Sequence, residues 1–369
     1  MENKKIRVGI TQGDINGIGY EVMLKALEDE RMLELCTPVI YGSAKIAAYY
    51  RKGAITSPMQ INQVSQASEA RDNQYNIINV VGEDVKVEPG VPSSEAGAAA
   101  FAALERAVTD LRAGDIDVLV TAPIDKHTIQ SETFHFPGHT EYLEASLGEP
   151  GDKALMIMCN PATSLRVALV TAHIPVSRIA EAITKEAVLD KLRAFDNSLR
   201  RDFGVNRPRI AVLSLNPHAG EEGLLGTEEK EIIEPAIAAA QAEKINCFGP
   251  YAADGFFGNG QFARFDGVLA MYHDQGLAPF KTMAMNSGVN FTAGLPFVRT
   301  SPDHGTAYDI AGKGIADGDS MRQAIFEAMD VWRNRCVYDR AHANPLRKQY
   351  IEKNKSDNVV LDLTKNDEN

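Results

Sequence analysis

Short apolar runs rich in β-branched residues alternate along this chain with longer stretches whose apolar positions recur every three or four residues. The runs occupy 6–11, 38–42, 75–81, 117–123, 154–159, 165–172, 209–216, 267–272 and 288–294. The helical spacing covers 95–112, 177–202, 228–243 and 319–335, the first of these opening on a Pro-Ser-Ser start signal. Strand–helix alternation of this kind predicts an α/β fold whose largely parallel sheets are covered on both faces. The length, 369 residues, predicts two lobes. We place them at 1–130 plus 290–369 and at 131–289, with no linker to mark either boundary. The polar tail DLTKNDEN is expected to fray.

Three of the apolar runs lead into a histidine: LRVALVTAH into His173, RIAVLSLNPH into His218 and GVLAMYH into His273. In parallel α/β sheets the carboxyl ends of strands face the ligand crevice. Three imidazoles delivered there make a candidate divalent-metal site with a coordination position left open. No compact motif such as HExxH accompanies them, so three satisfied loop histidines remain the competing reading. Asp254 and Asp274 are candidate carboxylates beside such a metal, as outer-shell partners or as a general base. The stretch AGEEGLLGTEE after His218 is glycine-rich but runs into an acidic first helical turn, which makes it a poor phosphate cradle. Glu221 and Glu222 are expected to orient neighbouring groups instead.

A second group of residues suits an anion. His139 and Thr140 stand where a helix is expected to start, with Thr140 as its N-cap. Lys281 follows His273 by a short loop or helical turn. Arg299 follows an apolar run, and Asn290 lies within another. Together they form a candidate clamp for one phosphate or carboxylate. The segment GDINGIGYE (13–21) invites a dinucleotide-fingerprint reading, but Val22 occupies the third glycine position and the next strand ends in glycine, not in an acid.

Net charge narrows the partners. Fifty acidic residues against 38 basic give −12, which disfavours a general nucleic-acid or acidic-membrane binder. No segment approaches the roughly 18 apolar residues of a membrane span. The four cysteines are far apart and form no CxxC, so free thiols in a reducing compartment, the cytoplasm, are expected.

The motifs TQGDINGIGYE, TAPIDK, GHTEYL, VTAHIPV, LNPHAGEEGLLGTEE, MYHDQGLAPFK and GLPFVRTSPDHGTAYDIAGKG, in this order along almost the whole chain, resemble the 4-hydroxythreonine-4-phosphate dehydrogenase family. The resemblance implies an isopropylmalate-dehydrogenase-like fold with an active site in the cleft between two α/β/α lobes. It also implies a homodimer with shared active sites and a divalent metal (zinc, magnesium or cobalt). The implied reaction is NAD-dependent oxidation and decarboxylation of 4-phosphooxy-L-threonine to 3-amino-2-oxopropyl phosphate, in pyridoxine 5′-phosphate biosynthesis. By matched motif, the metal ligands fall on His173, His218 and His273, and the substrate contacts on His139, Thr140, Lys281, Asn290 and Arg299. HGTAYDIAGKGIAD is similar to the adenosine-binding loop of the wider decarboxylating dehydrogenases, which puts His304, Thr306 and Asp309 near NAD. Asp254 and Lys281 are the candidate catalytic groups.

The chain departs from the pattern at Tyr20, where the family has proline, at Ile15–Asn16, and at Asp317, where the wider group has asparagine. Related enzymes acting on phosphorylated four-carbon sugar acids such as 4-phosphoerythronate share the motifs, so that substrate is an alternative. A metal-dependent hydrolase or aldolase, and a non-catalytic sugar-phosphate binder, are the other readings of three histidines and a clamp.

Overall fold

Twelve strands form one sheet in a computed structural model that describes residues 5–82 and 84–344; the tail DLTKNDEN lies outside them. The strands are β1 (Ile6–Thr11), β2 (Cys36–Gly42), β3 (Ile61–Gln63), β4 (Tyr75–Asn79), β5 (Val118–Thr121), β6 (Leu155–Asn160), β7 (Leu165–Leu169), β8 (Arg209–Leu213), β9 (Asn246–Tyr251), β10 (Gly267–Ala270), β11 (Val289–Ala293) and β12 (Arg299–Pro302). Their order is β3-β4-β2-β1-β5-β12-β11-β6-β7-β10-β8-β9. Pairing is parallel from β3 to β12 and again from β7 to β9. Around the middle strands β11 and β6 it is antiparallel. The expected parallel sheets are thus two wings of one sheet, joined where the chain reverses direction.

The helices are α1 (Gly19–Ala26), α2 (Met32–Leu35), α3 (Ala44–Ala54), α4 (Ser94–Ala113), α5 (His139–Leu147), α6 (Ile179–Ala182), α7 (Lys185–Arg201), α8 (Glu234–Ala242), α9 (Ala253–Gly258), α10 (His273–Ala284) and α11 (Asp319–His342). The start signal of α4 operates as expected: Ser93 accepts from the Ala96 N–H. The stretch 177–202 is not one helix, because the chain is extended at Thr184, whose hydroxyl caps a new helix, α7. The stretch 228–243 begins with a wide π turn at Glu229–Ile233 before α8.

Strand alternation sorts side chains onto two faces. On one face α1, α3, α7, α8 and α11 bury a continuous core that includes Val289, Phe291 and Ala293. On the other face α4 and α5 cover the first wing, and α9 and α10 cover the second. Between those two pairs, β11 and β12 carry no described helix on this face. There Asn290 and Thr292 point the other way from Phe291. By register, Thr292 lies opposite Arg299 and Met156, and Asn290 lies opposite Ser301 and Met158. The reversal of strand direction therefore makes the floor of a cleft, as strand-order switch points do in open α/β sheets.

The glycine-rich segment after β1 braces two other loops. Buried Asn16 receives the Glu88 N–H at 2.8 Å on its side-chain oxygen, donates to the Val91 carbonyl at 2.8 Å, and takes the Gly90 N–H on its backbone carbonyl at 2.8 Å. Ile18 donates to the Thr306 carbonyl at 2.9 Å, and Glu21 accepts from Gly312 N–H at 2.5 Å. The Asp14 carboxylate accepts from the Tyr308 hydroxyl at 2.8 Å. Gly17 permits this approach, since a Cβ there would meet the Thr306 carbonyl at 2.8 Å. Asn16→Ala leaves buried groups unpaired, and urea unfolding should show a loss of roughly 2 kcal/mol. An unchanged midpoint and slope would contradict this bracing role.

Candidate active site

A cavity of about 310 Å³ opens over the sheet floor. Its walls are the loop after β5, the first turn of α5, the turn bearing His173, the inner face of α10 and the segment 302–305. It gathers His139, Thr140, His173, His273, Lys281, Asn290, Arg299 and His304 of the residues singled out in the sequence. The helix α10 contributes His273, Leu277 and Lys281, four residues apart and therefore on one face. It can lie close to β7 and β10 because Gly276 has no side chain; a Cβ there would stand 2.9 Å from Val167 and Leu169. His273 and Lys281 thus belong to one helix, not to a helix and a following loop.

Arg299 forms the floor. It is 3% exposed, and its guanidinium donates only to hydroxyls: Nε and Nη2 to Thr121 Oγ1 at 3.1 and 2.6 Å, and Nη1 to Thr292 Oγ1 at 3.1 Å. Among the described residues no carboxylate pairs with it. Burial brings its pKa down to about 10, against the pull of Glu141. A buried, uncompensated cation is costly, and this one borders a ligand-sized space. Lys281 differs from the free cation expected of a clamp, because its Nζ already pairs with Asp303 at 2.8 Å.

Four of the six buried side-chain polar atoms without a partner among the described residues belong to the wall of this cavity: His139 Nε2, Asn290 Oδ1, His304 Nε2 and Asp303 Oδ2. Burial, reinforced by Arg299 and Lys126, holds the His139 pKa well below its ordinary value, so the ring is neutral. His173 is lowered by burial, Lys126 and His273, and His304 mainly by burial. Thr140 lines the cavity but is not the N-cap of α5. Gly138 holds that place, without a side-chain bond, and His139 is the first helical residue.

β7, β10 and β8 are adjacent and parallel, so the three candidate metal ligands leave one edge of the second wing. The rings of His173 and His273 lie 5.9 Å apart. His218 instead lines a second cavity of about 460 Å³ with Asp254, Asn216, Tyr272 and Gln275. Among the described residues of one chain, no three His, Cys, Asp or Glu side chains are placed to hold a metal. His218 opens a run of left-handed backbone through Glu222, four of whose five residues are not glycine. Such a run is strained. The expected orienters Glu221 and Glu222 are part of that run. The group that anchors its approach is Glu229, which accepts the Leu215 and Asn216 N–H groups at 2.8 and 2.7 Å, while Glu228 accepts from the Asn216 side chain at 2.8 Å.

Of the suggested cofactor residues, His304 reaches the cavity, whereas Thr306 and Asp309 lie outside it on the loop braced by Ile18 and Glu21. The sequence reading passed over Thr121, Lys126, Glu141 and Asp303. The signal for Asp303 was present, since Arg299, Ser301 and Asp303 repeat at the two-residue spacing of a strand and all three line the cavity.

Fold and cavity together define an α/β enzyme with a cleft over a buried guanidinium at the centre of one mixed sheet. Residues 34–328 match the family described as "Pyridoxal phosphate biosynthetic protein PdxA", and the chain belongs to that family. It is 61% identical over 368 residues to the 4-hydroxythreonine-4-phosphate dehydrogenase of Bacteroides thetaiotaomicron, each chain covering 100% of the other. The enzyme of the same name from Prosthecochloris aestuarii is 40% identical across 89% of this chain and 97% of its own length. The solved structure of that enzyme from Klebsiella pneumoniae superposes with a TM-score of 0.77 at 35% identity, covering 90% of this chain and 99% of its own.

The depressed pKa of His139 has a sign that can be measured. The unfolded chain takes up this proton near pH 6.5 and the folded chain does not, so stability falls as pH drops below that value. His139→Asn removes this contribution. The stability difference between the unmutated protein and the variant should shrink by up to about 1.4 kcal/mol per pH unit below pH 6.5. Urea unfolding at pH 7.5 and 5.0 checks it, and a constant difference would contradict a neutral buried ring.

Proposed function

We propose that this protein is a 4-hydroxythreonine-4-phosphate dehydrogenase. It oxidises and decarboxylates 4-phosphooxy-L-threonine to 3-amino-2-oxopropyl phosphate in pyridoxine 5′-phosphate biosynthesis, with NAD and a divalent metal (zinc, magnesium or cobalt), in the cytoplasm. The observation that carries this reading is the buried guanidinium of Arg299 at the floor of the cleft, paired with no carboxylate among the described residues and beside the unpartnered atoms His139 Nε2, Asn290 Oδ1 and His304 Nε2. Such a cleft suits a small, strongly anionic substrate. Membership of the family and full-length identity to an enzyme of this name support the chemistry. No helix among the described residues is long and apolar enough to cross a membrane.

In this account Arg299 and Lys281 bind the phosphate, and His139, Thr140 and Asn290 bind the rest of the substrate. The phosphate is remote from the reacting carbon, so its binding energy serves alignment. His139, held neutral, donates or accepts a hydrogen bond without adding charge. His304, Thr306 and Asp309 lie towards NAD. His173, His218 and His273 would hold a divalent metal, which would supply Lewis-acid polarisation of the substrate when bound, and NAD would supply the hydride acceptor. His173 suits such a role, because its lowered pKa favours the neutral ring, which leaves one nitrogen lone pair free to ligate. Asp254 is the candidate proton acceptor, and it shares its cavity with His218.

The separation of His218 and Asp254 from the His173–His273 pair supports a homodimer in which a second copy completes each site. The lobes of the account are 1–130 with 290–369 and 131–289, the cleft lying between them.

An NADH absorbance assay with 4-phosphooxy-L-threonine and, separately, 4-phosphoerythronate tests the function. Turnover should need NAD and a divalent metal and favour the amino acid; substrate loss without NADH formation would point to a hydrolase or aldolase. Shared sites have their own test. His218→Ala and His273→Ala should each be inactive, and an equal mixture should recover about one quarter of the normal rate, since half the dimers are mixed and each mixed dimer keeps one intact site. No recovery after verified subunit exchange would contradict sharing.

A further inference from the structure

Lys281 ends a four-carbon stem on α10, which lies over the second wing, yet its ammonium sits against a carboxylate that follows β12 of the first wing. A lysine head is a compact charge on a flexible stem, and a clamp built on it loses alignment unless something fixes the head. Asp303 is well placed to do so. It is 9% exposed. Its backbone N–H donates to the Ser320 hydroxyl at 3.0 Å and to the Gly288 carbonyl at 3.2 Å, and Ser320 donates in turn to that same carbonyl at 2.7 Å. One carboxylate oxygen takes Lys281 Nζ at 2.8 Å. The other lies against Gly288, where a Cβ would stand 3.1 Å away. The Asp303 backbone is therefore fixed by Ser320 and Gly288, its carboxylate is held through Oδ1 by Lys281, and Lys281 is the only described cation paired with it.

We propose that Asp303 is a positioning residue that fixes the Lys281 ammonium at the substrate's anionic end and ties α10 to the strand bearing Arg299. The proposal rests on the reading of this cavity as the substrate site. Burial pushes the Asp303 carboxyl upward and the Lys281 ammonium pulls it back, as expected of a carboxylate kept in place for its partner. Asp303 acts through Lys281 and does not itself hold the phosphate. Its loss should therefore appear in the substrate terms and not in the KM for NAD, and should disappear once Lys281 is gone.

A double-mutant cycle on the metal-loaded, full-length enzyme tests this. Asp303→Asn, Lys281→Met and the double variant are assayed with 4-phosphooxy-L-threonine and NAD. The expected result is a loss of about 10-fold in kcat/KM for Asp303→Asn, an unchanged KM for NAD, and no further loss in the Lys281→Met background. Losses that multiply, or a KM for NAD that rises in step, would overturn the proposal while leaving the substrate site in place. If Lys281→Met itself costs nothing, the reading of Lys281 as a substrate contact fails and the proposal falls with it. Should Asp303→Asn fold poorly, Gly288→Ala gives the same test, since its methyl displaces the carboxylate without removing charge. A smaller loss is expected, again absorbed by Lys281→Met, and a loss that survives in that background would overturn the proposal.

Discussion

A guanidinium buried in the middle of a sheet, bonded to two threonine hydroxyls and, among the described residues, to no carboxylate, is the constraint around which the rest of the molecule is arranged. Burying a charge is unfavourable unless partners replace its hydration. Thr121 and Thr292 satisfy the donors only in part, and burial lowers the pKa of Arg299 without neutralising it. In the proposed function, the site is therefore a place where folding stability is given up for affinity towards an anion. The antiparallel strands at the centre make it possible. They set Thr292 opposite Arg299, and no described helix covers that face over β11 and β12, so the cation borders a cleft and not a packed core.

Around this charge the walls are built to stay in place. Gly276 lets α10 press onto β7 and β10, which aims His273, Leu277 and Lys281 at the cleft. Asp303 ties the far end of that helix to the strand bearing Arg299. The loop carrying Thr306 and Asp309 is fastened by Asp14, Ile18 and Glu21. The left-handed run from His218 to Glu222 is held at its base by Glu228 and Glu229. Strain is tolerated there because its supports are part-buried hydrogen bonds to two carboxylates, and strain of this kind concentrates at functional sites.

Much of this was legible in the chain. Nine apolar runs correspond to strands, because a strand covered on both faces must be apolar throughout. β3, β9 and β12 were missed. β3 is three residues long at the edge, β9 interrupts its apolar pattern with Gly249 and Pro250, and β12 reads RTSP because its side chains serve the cleft. His139, Lys281, Asn290 and Arg299, grouped from the sequence as a candidate anion clamp, line one cavity. That Lys281 arrives already paired was not readable, since its partner is 22 positions away on another element. Nor does strand-end position reveal that His218 faces a different cavity from His173 and His273. Adjacent parallel strands deliver histidines to the same edge, but the loops after them decide where each ring goes.

The central claim is that Arg299 serves the ligand at the expense of the fold, and replacing its charge with an apolar side chain of similar length measures both sides at once. For Arg299→Met, denaturant unfolding and calorimetric binding of the phosphorylated substrate are compared with the unmutated protein. The account predicts stability unchanged or raised by about 1 kcal/mol, as when buried charges give way to apolar groups, together with at least a 10- to 100-fold loss of substrate affinity. A variant destabilised by several kcal/mol that still binds substrate normally would show that the guanidinium holds the sheet together, and would contradict the account.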